Sequence, residues 1–215
     1  MNNLKNNLLL EEMIEGISLS GLVKKESGIY ALEKSIENSG EFIGNLCPSG
    51  YPVIMSLLLK TNAAPKIRTL FERFNSQVVL DLGAGNDSKF YNSVSDFDIN
   101  GYIGVELFHE ERLLDGLRNS FNSKKIPFAV VREDMLNFLK RIPDNSVSVH
   151  ISGIDEIIIP DISYHKKVIQ EISRVLHPRG VYTESQGIEI GGFDAEKLGL
   201  KKIIAECDVH GYIKN

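Results

Sequence analysis

The pattern of apolar and polar positions divides the chain near residue 77. Before it, apolar residues recur at helical spacing: Leu8, Met13 and Ile14 form one weak face, and Leu32, Ile36 and Phe42 another. Residues 51–59 are apolar nearly all round, which predicts a buried helix with Pro52 near its first turn. Gly40 and Pro48-Ser49-Gly50 break this region into segments. Residues 1–76 thus read as an N-terminal helical extension.

From residue 77 short β-branched runs alternate with helical patterns. Strands are predicted over 77–82, 102–106, 127–132, 147–152 and 181–184, with two closing strands over 200–205 and 209–213 joined by a tight turn. Between them Leu113, Leu114, Leu117 and Phe121 stripe one helix, and residues 135–141 form a short one. Val168, Ile172, Val175 and Leu176 stripe a third, which stops before Pro178-Arg179-Gly180. Such alternation predicts right-handed crossovers and a mostly parallel sheet. The expected architecture is α/β: a Rossmann-like, doubly wound, seven-stranded sheet over residues 77–215 with the helical extension in front.

Composition narrows the function classes. At 215 residues, 42 % apolar and 25 % charged, the chain is an ordinary globular one that needs no disulfide or metal staple. It carries 24 basic and 29 acidic residues, a net charge of −5, which argues against a nucleic-acid partner. The basic pairs, such as Lys24-Lys25 and Lys166-Lys167, are scattered and read as solvated surface. Cys47 and Cys207 match no metal spacing and read as reduced thiols of a cytoplasmic protein, and no metal site is expected. Residues 1–12 lack the layout of a signal peptide. The longest apolar run falls far short of the roughly 20 residues that span a bilayer, so no membrane partner is expected.

The segment Val78-Val79-Leu80-Asp81-Leu82-Gly83-Ala84-Gly85-Asn86-Asp87 carries most of the chemistry. An apolar strand runs into an acid, a glycine turn and a helix start. In an open α/β sheet, ligands sit at the carboxyl end of such a strand. A plain tight turn has the same glycines. A dinucleotide site wants Gly-x-Gly-x-x-Gly/Ala, and here the last position is Ser88. Asp87 also puts a negative charge where a pyrophosphate docks. A cationic, phosphate-free nucleoside such as S-adenosylmethionine is not repelled. Glu106 ends the second strand about twenty residues after Gly85, where an acid accepts both ribose hydroxyls. Asp134 follows the third strand and suits an adenine amine, with Met135 packing on the ring; a helix N-cap is the equal alternative, and one residue can do both.

Taken together these motifs resemble the class I S-adenosylmethionine-dependent methyltransferases. The resemblance rests on Val79-Leu80-Asp81-Leu82-Gly83-Ala84-Gly85, Gly104-Val105-Glu106 and Arg132-Glu133-Asp134-Met135, in order and at family-like spacing. The lead-in and strand over 143–152 and the helix and turn over 171–180 add to it. It covers about 77–214. Asp87 stands where many members have a third glycine, and Ser148 where an aspartate is common.

The resemblance implies S-adenosyl-L-methionine as cofactor. Its amino-acid end would be held by Asp81 and the backbone of Gly83, Ala84 and Gly85, and its ribose by Glu106. Leu107, Asp134 and Met135 would take the adenine, and Ser152 would close the site at the fourth strand. Transfer is an in-line displacement at the sulfonium methyl, and alignment alone is worth about 7–11 kcal/mol in favourable systems. An acceptor hydroxyl or acidic carbon also needs a general base. Candidates after the fourth strand are Asp155, Glu156 and His165. His165 reads equally as a residue on the wet face of its helix, and His150 as a core histidine. The Asn/Asp-Pro-Pro-aromatic motif of amide and base-amino methylation is missing after the fourth strand. A small organic acceptor, methylated on oxygen or carbon, is therefore expected. The N-terminal helices would cover its pocket, with Tyr30, Cys47, Tyr51 and Met55 as lining or as core. The rivals are a binding protein that transfers nothing, a transferase of an aminopropyl or aminocarboxypropyl group, and, more distantly, a nicotinamide-dependent oxidoreductase. The oligomeric state is not legible.

Overall fold

Among the described residues two short strands, β1 (Leu22–Glu26) and β2 (Ile29–Leu32), precede a helix, α1 (Ala64–Glu72). The alternating part follows as β3 (Val78–Leu82), α2 (Phe90–Val94), β4 (Gly101–Glu106), α3 (Glu110–Phe121), β5 (Phe128–Arg132), α4 (Met135–Leu139), β6 (Val147–Ile151), α5 (Ile162–Val175) and β7 (Val181–Ser185). A 3-10 turn (Glu196–Leu198) and the hairpin β8 (Leu200–Glu206) and β9 (Val209–Lys214) close the chain. A computed structural model describes residues 22–26, 29–32, 64–84, 90–106, 110–121, 124–151, 161–185, 195–206 and 209–215.

All the strands join one sheet, in the order β1-β2-β5-β4-β3-β6-β7-β9-β8. The five strands β5-β4-β3-β6-β7 run parallel, and β9 returns antiparallel between β7 and β8. β3, β4 and β6 are buried nearly throughout; β3 and β4 are therefore largely apolar on both faces, while β6 alternates and buries the polar Ser148 and His150. Helices cover both faces. On one, Phe71 of α1, Phe74 just past its end, Phe90 of α2 and Leu117 of α3 pack with Val79 and Tyr102. On the other, Phe138 of α4 and Val168 and Ile172 of α5 pack against Leu80, Ile103 and Val149.

The expected seven strands are β3 to β9. Among the described residues the sheet has nine, because residues 22–26 and 29–32 are strands rather than helix. β1 and β2 pair antiparallel, and β2 lies parallel to β5 with Ile29 opposite Val130 and Ala31 opposite Arg132. The runs Leu22-Val23-Lys24-Lys25-Glu26 and Ile29-Tyr30-Ala31-Leu32 are separated in sequence only by Ser27-Gly28, a hairpin signature. The helical spacing of Leu32, Ile36 and Phe42 masks it. The helix expected over residues 51–59 lies outside the described residues. The division at 76/77 is crossed by packing, since Leu70 and Phe74 share a core with Val79 and Val181.

One close approach between helices is testable. A Cβ on Gly116 of α3 falls 2.4 Å from the Tyr91 hydroxyl oxygen and 2.8 Å from the ring carbon that bears it. Tyr91 is itself buried. Gly116→Ala is expected to destabilise the fold by about 1–3 kcal/mol, read as a lower urea midpoint. An unchanged midpoint shows that the ring has room to move.

Candidate functional site

The chain leaves β3 for β4 on one side, and later crosses back to place β6 on its other side. The carboxyl ends of β3 and β6 therefore form the switch point at which open α/β sheets bind ligands. Asp81 sits there, fully buried. Its register partners are Gly104 on β4 and His150 on β6, so all three share the face covered by α1 to α3. Glu106, two residues beyond Gly104, shares that face and marks the end of β4.

The Tyr102 hydroxyl donates to Asp81 Oδ2. Asp81 Oδ1 has no hydrogen-bond partner among the described residues. Burial drives the Asp81 carboxyl up to about 8, and the Glu106 charge adds to this against the opposing Tyr102 bond. A buried acceptor atom left open at the ligand edge suits a cationic donor such as an ammonium group.

After β3 the chain turns sharply at Gly83, whose φ of 67° lies in the left-handed region where a side chain is strained. The turn is pinned back on β4: the N–H groups of Gly83 and Ala84 both donate to the Val105 carbonyl, at 2.9 and 3.1 Å. This holds the turn beside Glu106.

Of the two roles the sequence left open for Asp134, the structure describes the helix cap. Asp134 is the N-cap of α4, its Oδ1 accepting from the Asn137 N–H at 2.9 Å. Its Oδ2 accepts from the Tyr164 hydroxyl at 2.7 Å. Met135 follows, partly buried against the core. His150 stacks on Phe90 with ring centroids 3.8 Å apart and Nδ1 2.8 Å from Thr183 Oγ1. Burial pushes it down to about 3, so the ring is neutral. His165 is only 1 % exposed and lies on the core side of α5 with Val168 and Ile169, not on a wet face. Its Nε2 has no hydrogen-bond partner among the described residues. Gly85, Leu107, Ser152, Asp155, Glu156, Cys47, Tyr51 and Met55 lie outside the described residues, as does the side chain of Tyr30.

Three polar features are absent from the sequence reading. Tyr102 partners Asp81, and Tyr164 partners Asp134. Glu184, buried at the end of β7, accepts from Tyr182 at 2.6 Å and Tyr212 at 3.2 Å and pairs with His210 Nδ1 at 2.8 Å. The alternations Tyr102-x-Gly104-x-Glu106, Tyr182-x-Glu184 and His210-x-Tyr212 carry the signal for two of them, because period two places each set on one face. Tyr164 has no such signal, since its partner is thirty residues away on another loop.

No protein-family model matches the sequence. No curated protein matches it either. Among solved structures, the chain is similar to magnesium protoporphyrin IX methyltransferase from Synechocystis PCC 6803, a structure with bound S-adenosylmethionine. The TM-score is 0.54 at 8 % identity, over 77 % of this chain and 79 % of that one. It is also similar to an rRNA methylase from Streptococcus thermophilus, with a TM-score of 0.49 at 10 % identity over 70 % of this chain and 94 % of that one. At such identities the likeness is one of fold, and the first of the two carries it. The chain has the fold of the class I S-adenosylmethionine-dependent methyltransferases.

Proposed function

We propose that the protein binds S-adenosyl-L-methionine and transfers its methyl group to oxygen or carbon of a small organic acceptor. The observation that carries this is the placement of Asp81 and Glu106 on one face at the switch point, with the Gly83 turn folded against Val105 between them. The residues suit the cofactor. Asp81 Oδ1, without a partner among the described residues, would accept from its ammonium, and the Glu106 carboxylate would accept from its ribose hydroxyls. Asp134 is an acceptor one strand further on, in the direction an adenine would extend.

When bound, the cofactor supplies an electrophilic sulfonium methyl. The chain's part is to orient it and to exclude water, with β3, β4 and β5 holding the three acids in a row. Asp155, Glu156 and His165 are the proposed sources of a general base, since each follows β6 in the sequence. The net charge of −5 favours a small acceptor over a polyanion. The extension over residues 1–76 is proposed as the cover of the acceptor pocket. β2 supports this, because it runs parallel to β5 and so ends at the ligand edge, beside Arg132.

Titration calorimetry with S-adenosylmethionine, S-adenosylhomocysteine and NAD tests the first step. Micromolar binding of the two adenosyl ligands and none of NAD is expected. Binding of NAD alone overturns the reading. A radiolabelled methyl-transfer screen over phenols, carboxylic acids and rRNA then separates a transferase from a binding protein. Label in rRNA would replace the small acceptor with a nucleic acid, and an aminopropylated product mass would replace methyl transfer.

A further inference from the structure

We infer that Tyr164 is a positioning residue for adenine recognition, holding the Asp134 carboxylate in place to accept the exocyclic amine of the ring. The inference rests on the cofactor reading above and deepens it.

Asp134 lies two residues beyond Arg132, which faces Glu106 across β4 and β5. An adenosyl ligand whose ribose is held at Glu106 thus brings its base toward Asp134. A carboxylate has about four lone-pair sites. In Asp134 one oxygen is committed to the Asn137 N–H and the other to the Tyr164 hydroxyl, each leaving a lone pair for a further donor. The two bonds remove the side chain's rotational freedom, so a ligand amine meets an acceptor already aimed. Burial and the Asp134 charge both hold the Tyr164 hydroxyl above the usual tyrosine range, so it remains a donor at physiological pH.

Tyr164 is itself fixed from two directions. The Asp161 carboxylate caps α5 and accepts from the N–H groups of Ser163 and Tyr164 at 2.8 and 3.2 Å. The next residue, His165, is packed into the core and sets the rotation of the helix. The hydroxyl therefore reaches Asp134 from a first turn that cannot swivel. The bond also ties the turn after β5 to the helix that follows β6, which are otherwise separate elements of the ligand edge.

Selectivity is the readout that a merely structural tyrosine would not move. Hypoxanthine has a carbonyl oxygen where adenine has an amine, and an acceptor-only carboxylate repels it. Calorimetry of the full chain with S-adenosylhomocysteine and S-inosylhomocysteine is the test, on the unaltered protein and on Tyr164→Phe. The unaltered chain is expected to prefer the adenosyl ligand by at least a hundredfold. Tyr164→Phe is expected to lose about tenfold on the adenosyl ligand and little on the inosyl one, with its melting temperature within a few degrees. An equal loss on both ligands, or no loss on either, overturns the role of Tyr164. Equal affinity of the unaltered chain for the two ligands overturns Asp134 as the amine acceptor and Tyr164 with it. Binding of neither overturns the cofactor reading itself, a result distinct from any failure of Tyr164.

Discussion

Glu106→Ala is expected to weaken binding of S-adenosylhomocysteine by about a hundredfold while leaving the melting temperature almost unchanged. The carboxylate stands at the end of β4, half-buried, opposite Arg132 and beside the pinned turn at Gly83. Two hydrogen bonds from a ribose diol to an ionised acceptor are each worth about 1.5 kcal/mol or more. Losing both removes about 3 kcal/mol, or roughly two decades of affinity. The fold loses little, because Glu106 is the last residue of its strand and the apolar packing of β4 lies before it. Glu106→Gln keeps the shape but only one acceptor oxygen, and should fall between. An affinity for S-adenosylhomocysteine that survives Glu106→Ala unchanged would sink the ribose assignment.

The second large effect is on stability, at Asp81. In the unfolded chain this carboxyl loses its proton near 3.8, and in the fold it keeps it up to about 8. Between those values the folded state binds more protons than the unfolded one, so stability falls as pH rises. The contribution is complete below pH 4 and lost as pH passes 8. Asp81→Asn cannot titrate, and its amide oxygen can still accept from Tyr102. The variant should therefore gain on the wild type between pH 5 and pH 9. Three pH intervals at about 1.4 kcal/mol each set an upper bound near 4 kcal/mol. Urea unfolding of both proteins at the two pH values measures this, and a gap that does not change with pH refutes it. The same placement has a functional side. An ammonium seated on Asp81 favours the ionised carboxylate, so ligand binding at pH 7 should release a proton that calorimetry in buffers of different ionisation heat can count.

The parallel strands were legible because burial on both faces makes them apolar without alternation, and each is followed by a turn signal that ends it. Val78-Val79-Leu80 is readable for this reason, Val147-Ser148-Val149 by its β-branched residues at period two, and β8 and β9 for their tight connection. The hairpin β1–β2 was not. Its runs are short, Lys24-Lys25 interrupts one of them, and what stabilises it is the edge of β5, which lies far along the chain. At the site, Asp81, Gly83, Glu106 and Asp134 declare themselves by their place at strand ends. The groups that tune them do not. Tyr102 reaches Asp81 across neighbouring strands, and Tyr164 reaches Asp134 from a different crossover. Periodicity along one element gives the face a side chain takes, but not the neighbour that the sheet order sets beside it. His165 misleads for a related reason, since the core face of α5 is set by Val168, Ile169 and Ile172 and takes the histidine in with them.

The order of the strands in space is not their order of synthesis. β2 is made early, yet its parallel neighbour β5 is about a hundred residues further on. At roughly 5–20 residues per second a ribosome needs on the order of ten seconds to supply it. A hairpin that formed in that interval would lack its partner along β2. An unpaired edge is a template for the wrong chain, and charged residues are the usual guard against it. Lys24 and Lys25 stand in β1, the outermost strand on that side of the sheet among the described residues. The lysine pair that blurred the strand's apolar pattern is thus suited to keep the nascent hairpin single until its partner arrives.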